Sequence, residues 1–221
     1  MNTNEELQRK LEAACWVAKT LFARNKATGS SANLSFRHGD TIYITNSGTC
    51  FGRLTTQDFT SVSLAGEVLG TTKPSKEFPL HQALYQKDAA IGAVVHTHSF
   101  YSTLWSCLPQ ENEQDIMPAY TPYLKMKLGT VGLVPYAKPG SEELFAAFRA
   151  AVNGSDGFLL ANHGPIVPGK DILCAFYSLE ELEESAHIAW TVRQETGINM
   201  LARGPKRLDC HNLHKHGTER K

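Results

Sequence analysis

Residues 89–100 read AAIGAVVHTHSF, a strand-like apolar run that ends in two histidines, His96 and His98. In an extended chain, residues two apart point to the same face, so both imidazoles project to one side. Two neutral imidazoles side by side suit a divalent metal, because histidine is the commonest metal ligand. The alternative is a pair of hydrogen-bonded histidines in a cleft.

A third histidine ends another strand-like run, GFLLAN, which stops at His163 and Gly164. Ligands of α/β domains gather where strand ends meet loops, so His163 could join His96 and His98. Gly164 and Pro165 favour a sharp exit that leaves the His163 side chain exposed at the strand end. Three histidines with an open position are typical of a catalytic zinc site, whereas a structural site has four ligands.

The composition is that of an ordinary globular protein with a substantial core. Of 221 residues, 42% are hydrophobic and 20% are charged, and the length suits one α/β domain. Lysine plus arginine numbers 22, as does aspartate plus glutamate. The chain therefore has no net charge that would attract nucleic acid or a membrane surface, and an anionic partner must be bound by a local site.

Location is indicated by the amino-terminal segment and the cysteines. The first 29 residues carry charges throughout their apolar pattern, unlike a signal peptide, and no apolar run is long enough to span a bilayer. The five cysteines are odd in number and scattered, and they form no C-x-x-C pair: Cys15, Cys50, Cys107, Cys174 and Cys210. This usage favours reduced thiols and predicts a cytoplasmic protein.

Periodicity predicts alternating helices and strands without a linker or repeat. Long helices are predicted over residues 4–25 and from 170 or 171 to about 194, with shorter ones in EFPLHQALYQKD, at 99–107 and in PGSEELFAAFRAAVNG. NLSFRHGDTIYIT predicts a hairpin, and FTSVSLAGEVLG a strand or strand pair broken at Gly66. Segment 115–135 has no firm assignment. The last helix carries glutamates that are expected to form a solvated face: Glu180, Glu181, Glu183 and Glu184.

The expected organisation is one domain over residues 1–200 followed by a polar, basic tail over 201–221. The tail is predicted to be disordered or to act as a lid. Its segment CHNLHKH, Cys210 to His216, has spacing that could bind zinc. A flexible terminal segment is, however, a poor platform for catalysis.

Three further stretches carry polar groups suited to chemistry. Glu77 in KPSKEF lies at a loop-to-helix junction, where it could transfer protons or simply favour the helix start. GSSANLS and TNSGT are rich in glycine and serine, and such loops can wrap a phosphate through backbone N–H groups and hydroxyls. The alternative is that both are tight turns. The phosphate-binding interpretation is favoured because both loops occur together with Ser75 and the histidines.

Together these motifs resemble the class II aldolase/adducin family. Its G-x-x-x-N-x-S, T-x-S-G, P-S-x-E, H-x-H and N-H-G motifs are matched in order by Gly29–Ser35, Thr45–Gly48, Pro74–Glu77, His96–His98 and Asn162–Gly164. The resemblance covers about residues 5 to 195. It implies a three-layer α/β/α sandwich with a largely antiparallel central sheet, and a homotetramer with sites at subunit interfaces.

The resemblance also implies a metal site and its substrate contacts. The metal, zinc or another divalent ion such as Mn²⁺ or Co²⁺, would be held by His96, His98 and His163, with Glu77 as a ligand or as the acid/base. The substrate phosphate would be bound by Asn33, Ser47, Gly48 and Ser75. Aldolase relatives also use a tyrosine from a neighbouring subunit, for which Tyr123 aligns better than Tyr120.

Two departures from the family pattern bear on which subfamily the chain resembles. Asn46 stands where the T-x-S-G motif often has proline, and Lys76 where aldolases tend to have serine. Lys76 could neutralise an extra carboxylate on the substrate; the alternative is a solvent-exposed residue at a helix start. Lys125 and Lys127 are further candidate cations, with surface lysines as the alternative. P-S-K-E and TPYLKMKLG look most like the 3-oxo-tetronate 4-phosphate decarboxylases of this family.

That resemblance implies zinc-dependent decarboxylation of a 3-oxo-tetronate 4-phosphate, a phosphorylated sugar acid, in four-carbon acid sugar catabolism. The products would be carbon dioxide and dihydroxyacetone phosphate, formed through a metal-stabilised enediolate, with Glu77 transferring the proton. The alternative is an aldolase, 4-epimerase or dehydratase acting on a ketose phosphate such as fuculose 1-phosphate or ribulose 5-phosphate, because aldol cleavage passes through the same enediolate. A more remote alternative is a non-catalytic binding module like the adducin head, against which the three histidines and Glu77 argue.

Overall fold

Seven strands form one mixed sheet in the computed structural model, which describes residues 3–201. The strands are β1 (Asn33–His38), β2 (Thr41–Thr45), β3 (Phe59–Ser63), β4 (Ala93–His96), β5 (Val131–Val134), β6 (Gly157–Leu160) and β7 (Gly164–Gly169). Their order across the sheet is β3-β2-β1-β4-β7-β6-β5. Every neighbouring pair is antiparallel except β5 and β6, which are parallel. The predicted α/β class and largely antiparallel sheet are therefore confirmed.

Six α-helices accompany the sheet in the described part of the chain: α1 (Thr3–Ala23), α2 (Phe78–Lys87), α3 (Phe100–Ser106), α4 (Tyr123–Lys127), α5 (Glu142–Ala151) and α6 (Ile172–Val192). A short 3-10 helix spans Phe51–Arg53. The predicted helices are confirmed to within a few residues, and α4 and β5 occupy the unassigned segment 115–135. Ser141 caps α5 by accepting from the Leu144 N–H, and Asp171 caps α6 by accepting from the Cys174 N–H.

Apolar side chains gather in two clusters, and successive strand residues alternate between them. In β4, Ala93 and Val95 belong to one cluster and Val94 to the other. The first cluster contains buried residues of α1, α4 and α6, and the second contains those of α2 and α5. Because neighbouring strand residues point to opposite faces, α2 and α5 pack on the face to which Val94 points.

Strand β7 was not expected from the sequence. Its residues GPIVPG contain two prolines and two glycines, which are typical of loops and disfavoured inside a sheet. All six residues are nevertheless buried, and β7 lies between β4 and β6. The free energy gained by burying β7 in the centre of the sheet therefore outweighs the loss of the hydrogen bonds that the two prolines cannot donate.

The prediction of a fully solvated glutamate face on α6 is wrong for Glu183. Its side chain is buried and accepts hydrogen bonds at the start of α3, from the backbone N–H groups of Tyr101 and Ser102 and from the Ser102 hydroxyl. These helix-start N–H groups have no partner within α3, so a carboxylate from α6 takes the place of a cap. The other three glutamates pair with Arg24, Lys127 and Lys26.

Within residues 3–201, no helix combines the length and apolar character needed to cross a membrane. The four cysteines in this range are free thiols. The tail predicted at 201–221 lies outside the described residues apart from Leu201, so the Cys210 to His216 alternative stays a prediction.

Replacing the buried carboxylate should test this helix cap. Glu183→Gln is expected to lower the free energy of unfolding by about 1.5–3 kcal/mol, because the amide turns an N–H donor toward the α3 donors. The matched control is Glu184→Gln, one residue along α6 and largely exposed, which should change it by less than about 0.5 kcal/mol. Urea denaturation measures both. Equal effects of the two substitutions would show that Glu183 does not hold α3.

Candidate metal centre

The three histidines meet where β4 ends and β7 begins. These strands pair antiparallel with His96 opposite Ile166, so the residues just after β4 lie beside those just before β7. One ring nitrogen from each of His96, His98 and His163 lies within 4.8 Å of the other two. The ring centroids are 4.7 to 5.2 Å apart. The structure thus brings together the three residues that the sequence singles out.

A tight turn presents His163 to the other two histidines. Asn162 has a left-handed backbone with φ of 55°, and Gly164 has φ of 154°. A Cβ atom on Gly164 would lie 2.3 Å from the Thr97 carbonyl oxygen and 3.2 Å from the His98 Cα. Only glycine lets the start of β7 lie this close to the backbone between His96 and His98.

The imidazoles are oriented and kept neutral by their surroundings. The Nδ1–H of His96 donates to the Pro165 carbonyl at 2.8 Å, which leaves the Nε2 lone pair free to face the cluster. Burial lowers the pKa of His96 and of His163 to about 3, and it also lowers the pKa of His98. Neutral imidazole is the form that binds metal.

Glu77 completes the cluster from the start of α2. Its Oε2 lies 3.4 Å from His96 Nε2 and its Oε1 lies 3.5 Å from His163 Nε2. Glu77 is only 4% exposed, and its Oε2 accepts a hydrogen bond of 2.9 Å from the Asn33 side-chain amide. Asn33 lies directly across from His96 in the pairing of β1 with β4.

The donor set fits a divalent cation. His96 Nε2, His98 Nε2 and His163 Nδ1 are buried atoms with no hydrogen-bond partner among residues 3–201. A buried polar atom without a partner is costly, and a carboxylate facing imidazole lone pairs adds repulsion. A metal ion between them would remove the repulsion and give His96 Nε2 a partner, and three imidazoles with one carboxylate are ligands that zinc accepts.

Of the two predicted anion loops, TNSGT lies beside the segment that carries Ser75 and Glu77, whereas Asn33 and Ser35 of GSSANLS lie in β1. The Ser47 N–H donates to the Lys73 carbonyl at 2.9 Å, and the Ser75 N–H donates to the Thr45 carbonyl at 3.0 Å. Gly48 has φ of 80°, a conformation that glycine adopts without strain. Ser75 Oγ also accepts from the Glu77 N–H at 3.3 Å. The binding of a phosphate by Ser47, Gly48 and Ser75 stays a prediction, as does that of Asn33, whose side-chain amide is held by Glu77 and His81.

The other predicted residues differ in their relation to the cluster. Lys76 is exposed, and its positive charge adds to burial in lowering the pKa of His98 and of His163. Lys125 is paired with Asp115, and Lys127 with Glu181, and both lysine side chains are partly buried instead of lying on the open surface. Tyr123 is 55% exposed at the start of α4 and lines a surface groove with Met126, Lys127 and Glu181. A role for Tyr123 at a neighbouring subunit's site stays a prediction.

Three buried residues beside the site were not predicted: Ser35, His81 and Tyr85. They continue the contact between Asn33 and Glu77 into the interior. The sequence does carry a signal for them, because Glu77, His81 and Tyr85 are spaced by four, and Asn33 and Ser35 by two. These spacings place each set on one face of its helix or strand.

Comparison with known proteins gives consistent matches over most of the chain. The family model of the class II aldolase and adducin N-terminal domain matches residues 12–190. A 3-oxo-tetronate 4-phosphate decarboxylase of Pectobacterium atrosepticum is 42% identical, over 76% of this chain and 78% of that protein. An L-fuculose phosphate aldolase of Methanocaldococcus jannaschii is 36% identical, over 78% and 91%. The crystal structure of YgbL from Escherichia coli superposes with a TM-score of 0.82 at 38% identity, over 88% and 94%.

The buried histidines should make the metal-free protein sensitive to acid. In the folded state His96 has a pKa of about 3, against about 6.5 when unfolded, so the unfolded state binds more protons between these values. The free energy of unfolding should therefore fall as the pH falls below about 6.5, by up to about 1.4 kcal/mol per pH unit for each such histidine.

His96→Asn tests this sensitivity, because asparagine keeps an N–H for the Pro165 carbonyl and removes the titrating ring. We expect a shallower slope of unfolding free energy between pH 6 and 4.5, measured by urea denaturation in the presence of a chelator. His187→Asn, which changes an exposed histidine of α6, is the control. A slope in His96→Asn equal to that of the wild type would contradict the burial of a neutral imidazole.

Proposed function

The chain belongs to the class II aldolase and adducin family, and from this premise we propose that it is a lyase that decarboxylates a 3-oxo-tetronate 4-phosphate. The observation that carries the proposal is the cluster of His96, His98 and His163 with Glu77, in a chain 42% identical to a decarboxylase of that name. The products are carbon dioxide and dihydroxyacetone phosphate.

Family membership also supports the finer features expected from the sequence. We propose a cytoplasmic homotetramer built from a single three-layer α/β/α domain, in which the helices of the two apolar clusters form the outer layers. We propose zinc as the metal on His96, His98 and His163, with Mn²⁺ and Co²⁺ as substitutes. When bound, the metal supplies Lewis-acid stabilisation to the substrate oxygen that becomes negative as carbon dioxide leaves.

The substrate's own structure makes the reaction favourable at this site. Its C1 carboxylate is two carbons from the C3 ketone, so the electrons of the C1–C2 bond can flow into the C3 carbonyl as carbon dioxide departs. C2 then needs one proton. Glu77 is the proposed donor in its protonated form, regained from solvent in each turnover, because it is buried beside the imidazoles and Asn33 holds its carboxyl group in one orientation.

The remaining residues bind the two charged ends of the substrate. We propose that the Gly48 backbone N–H and the hydroxyl groups of Ser47 and Ser75 bind the C4 phosphate, because their two loops are paired beside Glu77. Asn33 is also proposed to help bind the phosphate, because it is hydrogen-bonded to the adjacent Glu77. Lys76, whose charge reaches the histidines, is proposed to face the C1 carboxylate until it leaves. Tyr123 is proposed to act at the site of a neighbouring subunit.

Aldol cleavage of a ketose phosphate is the second candidate, since an L-fuculose phosphate aldolase is 36% identical to this chain. The metal cluster alone suits both reactions, because each needs negative charge stabilised on a carbonyl oxygen. Lys76 favours decarboxylation, since an aldol substrate such as fuculose 1-phosphate has no carboxylate for it to neutralise.

The assignment is tested with the zinc-loaded protein and 3-oxo-tetronate 4-phosphate, with carbon dioxide and dihydroxyacetone phosphate measured together. We expect release of both products in equal amounts. Glu77→Gln should lower kcat at least about 100-fold, because it removes the proton donor. Lys76→Met should lower kcat/KM about 10- to 100-fold through loss of one charge-assisted contact.

The matched control for Lys76→Met is Lys19→Met, which removes an exposed lysine from α1 and should leave kcat/KM unchanged. His98→Ala should abolish both product release and zinc retention after gel filtration. A protein that retains zinc but releases no carbon dioxide would overturn the decarboxylase assignment and leave the family membership intact. Fuculose 1-phosphate and ribulose 5-phosphate are the substrates to try in that case.

A further inference from the structure

A buried chain of hydrogen bonds runs from the interior to Glu77. Its members alternate between β1 and the segment of α2 with its N-cap: Glu77, Asn33, His81, Ser35 and Tyr85. Successive polar atoms are 2.9, 2.5, 2.7 and 2.8 Å apart. Each of the five residues is at most 4% exposed. The first two members have assigned or proposed roles, whereas His81, Ser35 and Tyr85 have none.

The chemistry of the partners fixes the direction of every bond. The Glu77 carboxylate accepts, so the NH₂ of Asn33 faces it and the Asn33 Oδ1 faces His81. His81 must therefore donate from Nε2, which leaves Nδ1 as the acceptor of the neutral ring. Ser35 then donates to His81 Nδ1, and the Tyr85 hydroxyl donates to Ser35 Oγ. Every donor in the chain points toward Glu77.

Burial keeps His81 and Tyr85, two titratable members of this chain, in the protonation states that it requires. The His81 ring is completely buried, which lowers its pKa to about 3 and keeps it neutral. Burial also raises the pKa of the Tyr85 hydroxyl, which stays protonated and able to donate. A chain with every polar atom satisfied is rigid, because breaking one bond leaves a buried donor or acceptor without a partner.

We propose that His81 is a positioning residue for the reaction, which fixes the Asn33 amide so that it holds the Glu77 carboxyl group between His96 and His163. The inference rests on the proposed function for its kinetic consequence and on geometry alone for its structural one. His81 does not deliver protons to Glu77, because the intervening Asn33 amide does not pass a proton from its oxygen to its nitrogen. Ser35 and Tyr85 act one step further away, by holding His81 in the required tautomer.

The structural consequence is tested by nitrogen-15 NMR of the metal-free protein, without substrate. We expect neutral His81 with a proton on Nε2, and an Asn33 side-chain amide signal shifted by its bond to Glu77. His81→Phe keeps the ring shape but has no donor, and it should abolish that shift. Leu84→Ala, at a buried apolar residue of the same helix, should not. A proton on Nδ1 of His81, or an Asn33 signal unchanged in His81→Phe, would overturn the proposal.

The kinetic consequence is tested with the zinc-loaded protein well below its Tm. His81→Phe should lower kcat about 10- to 100-fold with little change in KM, as for other residues that orient a reacting group. His81→Gln offers an N–H to Asn33 and should recover part of the loss, whereas Leu84→Ala should lower Tm and leave kcat near that of the wild type.

Each outcome separates the two proposals. A loss of kcat in His81→Phe no larger than in Leu84→Ala would overturn the positioning role. A wild-type protein that releases no carbon dioxide would overturn the proposed function, while the Asn33 amide signal would still decide whether His81 holds Glu77.

Discussion

The site depends on the register of three antiparallel strands. Asn33 of β1 lies opposite His96 of β4, and His96 lies opposite Ile166 of β7. This alignment places Asn33, which holds the Glu77 carboxylate, beside His96 and the turn that carries His163. A slip of one residue in β4 would turn His96 to the other face of the sheet and fill its place with an apolar side chain. The alternation of β4 residues between the two apolar clusters makes such a slip costly.

The same alignment places unusual polar groups in the interior, and the surrounding structure compensates for them. Two of the three imidazoles have a pKa of about 3 because they are buried, so they remain neutral lone-pair donors under physiological conditions. Glu77 is held by Asn33, which in turn is held by a chain of donors that reaches Tyr85. A divalent ion is the ligand that such an arrangement suits, because neutral imidazoles and a carboxylate are its usual partners.

Local patterns in the sequence predict much of this arrangement. His96, His98 and Glu77 stand in short motifs, and periodicity indicates α1, α6 and the β1–β2 hairpin. Such patterns do not predict contacts between residues that are far apart in sequence. Asn33 and Glu77 are separated by 44 positions, and their hydrogen bond is seen only in the folded structure. Strand β7 was missed because Pro165 and Pro168 resemble loop residues, although burial decides its state.

Helix packing explains the other difference between sequence and structure. Glu183 belongs to an acidic run that a helical pattern assigns to solvent, yet the start of α3 packs against it and needs an acceptor. The sequence of α6 carries no information about where α3 docks. The resemblance to a family added what periodicity lacks, namely the expectation that Glu77 joins the three histidines at one metal site.

Anomalous X-ray diffraction from crystals of the full chain grown with zinc is the most direct test of this account. The prediction is one zinc ion per chain, bound by His96, His98 and His163 with zinc–nitrogen distances of about 2.0–2.1 Å. An anomalous peak at the segment from Cys210 to His216, with none among the three imidazoles, would contradict the central claim.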